Sequence, residues 1–388
     1  MRSIKWVNFI HIYQPPWQRP EVVQQATDES YAFLTSCLKQ FPSFHLTLNI
    51  AGTLLDQLAT LGFHTLLADL RRLHERGQIE LTGSSYSHAF LPMLPESEVI
   101  RQIELQETTL RRFFPKYKKI GFFIPEMAYS HQVGASIKKA GYTWIILDPQ
   151  SAKIQPDTNS KYIDRRTGLT VVFRNRKLSR TYPPEAIFNL LRKRSDNNED
   201  EVVITASDGE LYGHFHKDWQ DHLRKILRSP RIETVSVTDH LRSLKNTSPL
   251  YLQQASWETR ARQLRRNNAF SIWFNKNNPI HKRLWQLAYL AIGSVASHPH
   301  DPNFQWARRH LDNGLASCSW WWASEIKTSV FAPIGWSPDE IERGATELIK
   351  SIRSLSKLGA REKMRAEKLF SDLMLTIWLK HWHTYGRS

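Results

Sequence analysis

The chain has 388 residues, 41% of them hydrophobic and 11% aromatic, a composition that suits a packed globular protein and excludes a disordered one. Fifty-three Lys and Arg against 37 Asp and Glu leave a formal charge of +16, which brings polyanions into question as partners. The basic clusters (Arg71-Arg72, Lys116–Lys119, Arg192–Arg194, Arg260–Arg266, Lys357–Lys368) are scattered and follow no nucleic-acid module, so a solvated basic surface is preferred and nucleic acid is not favoured as a partner. Cys37 and Cys318 are far apart and form no CxxC, so neither a disulfide framework nor a metal site is implied. The N-terminal apolar stretch is too short for a signal peptide, and no run reaches membrane-spanning length. A cytoplasmic protein with no membrane partner is expected.

Along the chain, Trp6–Ile12 reads as a buried strand ending at the turn signal Gln14-Pro15-Pro16. Phe44–Ala51 is a second strand, Leu54–Arg76 a helix stopped by Gly77, and Gln78–Leu81 a third strand. A helix over Glu96–Phe114 closes at Pro115 and leads to a strand at Ile120–Ile124. A helix over 131–140 follows, then a strand at Thr143–Leu147 that ends in Asp148. Strands at Leu169–Phe173 and Val202–Ala206 flank a charged helix and loop, Pro184–Glu201. A helix over His216–Leu227 and a short strand at Glu233–Val237 complete this half. Strands alternating with helices imply an α/β fold with a parallel sheet and right-handed crossovers; seven or so such units fit an incomplete or closed barrel. From about Asn246 the segments Lys282–Ala296, Phe304–Ala316, Pro338–Leu358 and Ala360–His383 carry helical periodicity and little strand signal. The expected division is therefore a barrel over 1–245 and a helical domain over 246–388.

The residues with chemical potential gather at the expected strand ends. His11 and Tyr13 flank Ile12 before Gln14, so two polar rings share one side. The GSSYSHAFLP loop offers Tyr86 and His88. Glu126 follows an apolar run and Pro125, a desolvated place for a carboxyl. Asp208, Glu210 and His214 crowd one turn with Gly209 and Gly213, glycines that allow close backbone approach. Each of these groups could instead be structural: a satisfied buried His, a salt-bridged Glu, a polar loop. Trp257, the Trp273–Trp285 region and Trp320–Trp322 supply aromatic surface for sugar rings or for core packing. Three consecutive Trp on a helix point about 100° apart, so one of them is expected to line a cleft.

Taken in order, HIYQPP, GQIELTGSSYSHAFLP, GFFIPE and DGELYGH resemble the motifs of glycoside hydrolase family 57, the retaining α-glucan-active enzymes. That resemblance implies an incomplete (β/α)7 barrel followed by a C-terminal helical domain that contributes to the cleft. It implies Glu126 as nucleophile and Asp208 as acid/base in a double displacement with net retention, which asks for carboxyls about 5–5.5 Å apart. His11, His88 and His214 would bind ring hydroxyls, with Glu210 orienting one of them. Tyr13, Gln14, Trp257, Trp320 and Trp321 would complete the substrate contacts. No cofactor and no metal are implied. The chain departs from the family pattern at Phe123, where Trp is usual, and in CSWWWAS, which lacks an Asp; both bear on specificity. The implied activity is amylase or 4-α-glucanotransferase, since the barrel half leaves little room for the shielding loop of a branching enzyme. Two other readings stand beside it: a metal-dependent polysaccharide deacetylase on a related barrel, disfavoured by the lack of its His and Asp spacing, and a basic carbohydrate- or nucleic-acid-binding protein on a non-catalytic version of the fold.

Overall fold

The run IKWVNFIHI forms β1 (Ile4–Ile12), a strand whose residues are nearly all buried, as happens when both faces of a parallel sheet are covered. The computed structural model describes residues 3–192, 201–327 and 332–386; Lys193, Arg194 and the charged loop expected up to residue 200 lie outside the described residues. Among the described residues nine further strands follow: β2 (Leu46–Ile50), β3 (Ile79–Leu81), β4 (Gly121–Phe122), β5 (Trp144–Leu147), β6 (Ser160–Asp164), β7 (Thr170–Phe173), β8 (Glu201–Asp208), β9 (Ile232–Val235) and β10 (Asn246–Leu250). One sheet has the order β3-β2-β1-β8, with β9 also paired to β1; the other runs β10-β6-β7-β5-β4. All pairings are parallel except that of β6 with β7. Backbone bonds pass between the sheets just beyond β3, where Gly83 N–H donates to Gly121 O at 2.9 Å, and just beyond β7, where Asn175 N–H donates to Ile204 O at 2.7 Å. This is the expected α/β architecture of parallel strands and crossover helices.

Several elements differ from expectation for local reasons. The helix expected over 54–76 is two helices, Gly52–Thr60 and His64–Glu75, parted at Gly62, whose φ of +83° leaves the right-handed region. Strand β4 is only two residues long, because Pro125 brings no N–H to a ladder and the chain turns into a 3-10 helix there. The helix expected from His216 begins only at His222. Strands β6 (SKYID) and β10 (NTSPL) are polar and partly exposed, so they carry no apolar run by which to recognise them. Pro249 is tolerated because β10 is an edge strand.

The chain forms two compact units: residues 1–14, 18–86 and 91–259 in the first, and residues 15–17, 87–90 and 260–388 in the second. Residues 246–259, beyond the expected boundary, join the first unit, where β10 pairs with β6. Its core includes Trp6, Phe44, Ile10, Leu48 and Leu54, with the Trp6 indole N–H donating to Thr205 Oγ1 at 2.8 Å. The second unit is built on helices Pro279–Ala296, Phe304–Gly314, Pro338–Ser354 and Ala360–Thr384. Two of them start with Pro just inside a capping residue, Asn278 and Ser337, whose side chains accept from the first turn. Leu284, Ala288, Leu311, Leu348 and Ile352 are fully buried there, and Phe90 stacks on Trp273 at 4.7 Å.

Candidate active site

Three neighbouring parallel strands bring polar residues to one level at their C-terminal ends: His11 of β1 stands in register with Asn49 of β2 and with Asp208 of β8. The His11 ring donates from Nδ1 to Asn49 Oδ1 at 2.7 Å, an orientation supported by Asn49 Nδ2 donating to Thr82 Oγ1 at 3.3 Å. Burial lowers the His11 pKa to about 4, with the Asn49 bond opposing the shift, so the imidazole is neutral through the physiological range. Beneath it lies Phe123, stacked at 4.6 Å between centroids and wholly buried. That position therefore supports His11 from the core and does not form a groove wall.

Glu126 sits just past β4, and both it and Met127 have positive φ (61° and 48°), in a region costly for residues with a Cβ. The strain has a counterpart in bonding. The Trp257 backbone N–H donates to Glu126 O at 3.0 Å, and the Trp257 indole N–H donates to Glu126 Oε2 at 2.9 Å. Trp257 thus holds Glu126 by main chain and side chain together.

Asp208 ends β8, and Gly209 lets the turn that follows lie against β1: a Cβ there would meet Ile12 Cγ2 at 2.3 Å. Burial raises the Asp208 pKa well above the ordinary carboxylate value, and the Glu210 and Glu126 carboxylates push it further, while Arg174 pulls it down. Glu210 is buried and its pKa is also raised by burial. It accepts from the Tyr31 hydroxyl, from Gln14 Nε2 at 3.3 Å and from the Tyr13 backbone N–H at 3.4 Å. The expectation that Glu210 orients a histidine is not met; its partners are a tyrosine, an amide and a main-chain N–H. Tyr13 is half-buried, with its ring 6.1 Å from that of His11. His214 is held by Glu29, Nδ1 to Oε2 at 2.6 Å, and Lys217 shares that carboxylate at 3.0 Å. Gly213 makes the close approach possible, with φ at +112° and a Cβ position 2.1 Å from Glu29 O.

Three residues of this constellation escaped the sequence reading: Asn49, Tyr31 and Arg174. Arg174 directly follows the apolar strand β7, the same signal that marked Glu126 and Asp208. Asn49 is an uncharged polar residue inside the apolar run of β2, a weaker sign, and Tyr31 lies on a helical stretch with no local cue.

The other expected site residues belong to the second unit. His88 has φ of +57°, is buried, and bonds through Nδ1 to Ser317 Oγ at 2.9 Å. Trp320 is wholly buried, stacked on Trp285 at 4.3 Å, and its carbonyl receives a bond from His281 Nε2 at 2.9 Å. It is core, which corrects its expected place on a sugar-binding wall. Trp321 keeps partial exposure and meets Trp322 edge-on at 4.7 Å. Among the described residues no group of three His, Cys, Asp or Glu side chains is placed to hold a metal ion.

The family model of glycosyl hydrolase family 57 matches residues 9–253, which take in both acids described above. The chain belongs to glycosyl hydrolase family 57. Among its relatives, it is 22% identical to an alpha-amylase of Pyrococcus horikoshii over 75% of this chain and 53% of that protein. It is 23% identical to a 4-alpha-glucanotransferase of Thermococcus kodakarensis over 73% of this chain and 50% of that protein. The chain thus spans about half the length of the curated relatives it matches. In fold it is similar to a GH57-type branching enzyme from Pyrococcus horikoshii, with a TM-score of 0.71 at 15% identity over 97% of each chain. It is also similar to a 4-alpha-glucanotransferase from Thermococcus litoralis, with a TM-score of 0.70 at 20% identity over 92% of this chain and 60% of that one.

Proposed function

We propose that this family 57 chain acts on α-glucans as a retaining hydrolase or 4-α-glucanotransferase, with Glu126 as nucleophile and Asp208 as acid/base. The observation that carries the reading is the asymmetry of the two carboxyls. Asp208 is set to keep its proton by burial and by the Glu210, Glu126 and Glu258 carboxylates, whereas Glu126 is gripped by the indole N–H of Trp257. One acid is thereby suited to give a proton and the other to attack. In the first step Glu126 Oε attacks the anomeric carbon while Asp208 protonates the departing glycosidic oxygen, and a covalent glycosyl ester forms. In the second, Asp208 takes the proton of an incoming water or sugar hydroxyl, whose oxygen displaces Glu126 with net retention. A neutral His11 can hydrogen-bond a ring hydroxyl without adding charge at the reacting centre.

The experiment is incubation of the full chain with maltoheptaose, with products resolved by chain length and anomeric configuration. Shortening alone indicates hydrolysis, a ladder of longer and shorter chains indicates transfer, and both should carry the α configuration at first formation. Glu126→Gln and Asp208→Asn should each lower kcat by roughly a thousandfold or more while circular dichroism stays native. Turnover near the wild-type rate in either variant sinks the assignment.

A further inference from the structure

Arg174 is an almost wholly buried guanidinium at the end of β7, and it is used in several directions at once. Its Nη1 donates to the carbonyl of Ala206 at 3.0 Å, two residues before Asp208 on β8. Its Nη2 donates to the carbonyl of Trp257 at 3.4 Å, and the guanidinium lies 5.3 Å from the centre of the Trp257 indole. Nε and Nη2 grip Asp148 Oδ2 at 3.0 and 2.9 Å, and Arg176 takes Oδ1 of the same buried carboxylate at 2.7 Å. Arg176 also donates to the carbonyl of Thr259 at 3.0 Å, which fixes the far end of the Trp257 segment.

We infer that Arg174 is a positioning residue for both candidate acids: one guanidinium ties the strand that carries Asp208 to the tryptophan that grips Glu126. This rests on Glu126 and Asp208 being the reacting carboxyls. A planar fork is required, because donors must reach two carbonyls and a carboxylate in fixed directions while the guanidinium lies over an indole. A lysine has the charge but not the fork. The arrangement also sets a positive charge beside the acid/base, where it opposes the Glu210, Glu126 and Glu258 carboxylates that hold the Asp208 proton. Geometry and charge can therefore be separated by substitution.

The test is the pH dependence of kcat and KM on maltoheptaose for full-length Arg174→Lys and Arg174→Gln. Arg174→Lys should keep the wild-type alkaline limb but lose kcat, by tenfold to about a hundredfold for a displaced reacting group, with KM nearly unchanged. Arg174→Gln should show the same loss and should also move the alkaline limb of kcat/KM to higher pH, because the charge that lowers the Asp208 pKa is gone. If Arg174→Gln does not fold, Arg174→Gln combined with Asp148→Asn removes the other half of the buried pair, and a limb shift in the same direction but smaller is expected, because loss of the Asp148 charge acts the opposite way. Wild-type kcat and profile in both variants overturn the inference. So does a kcat loss in Arg174→Gln with an unmoved limb, which means a structural role only. Glu126→Gln and Asp208→Asn run alongside: if they are inactive while the Arg174 variants behave as wild type, only the positioning role fails, and if they retain turnover the assignment of the acids fails first.

Discussion

Asp208 is placed where its charge is unwelcome, and that has a consequence for stability as well as for chemistry. Its folded pKa is raised above the ordinary value of 3.8, so between that pH and the raised value the folded chain holds a proton that the unfolded chain has lost. Stability therefore falls as pH rises through this interval. Asp208→Asn, which has no proton to lose, should melt at a higher temperature than wild type at neutral pH, with the gap closing as pH is brought down toward 4. A gap that stays constant with pH contradicts the raised value. At this scale the sequence was informative where a charged residue ended an apolar run, as with Glu126 and Asp208. It was silent on what surrounds them. Tyr31 and Gln14 reach Glu210 from far along the chain, and nothing local marks such a bond. Phe123 and Trp320 show the opposite failure: large aromatic side chains near a motif look like sugar platforms, but apolar bulk serves the core equally well, and both are buried.

The element that follows β4 is the least regular part of the site. Glu126 and Met127 hold left-handed φ values in succession, a conformation that costs of order 1–2 kcal/mol for a residue with a Cβ. Comparing two variants that both lack the carboxyl isolates this cost. Glu126→Gly should exceed Glu126→Ala in stability by about 1 kcal/mol in urea unfolding, although glycine ordinarily weakens a fold. An alanine variant that is the more stable argues that the turn relaxes once Glu126 is gone. Strands β1, β2, β5, β7 and β8 were legible as apolar runs because parallel strands are covered on both faces. The polar strands β6 and β10 were not, since pairing at a margin asks little of side chains. The helical second half was legible from periodicity; its capping residues, Asn278 and Ser337, were not read.

Over the whole molecule the formal charge of +16 is spread along the chain, and the proposed substrate, a neutral glucan, has no charge for it to attract. Raising salt from about 50 mM to about 0.5 M, which shortens screening from over 10 Å to a few ångström, should leave KM for maltoheptaose within about twofold. A KM that climbs steeply with salt indicates an anionic substrate or partner. Among the described residues no helix is long and apolar enough to cross a membrane. The common level of His11, Asn49 and Asp208 across β2, β1 and β8 also bears on how this protein can be altered. Side chains alternate across a strand, so an insertion or deletion of one residue within β1 or β8 would turn His11 or Asp208 to the opposite face. Indels in those strands are closed to variation, whereas the exposed stretch around Trp219, past the strand ends, can lengthen without touching the register. A library of length variants is best spent there, with the three strands left untouched.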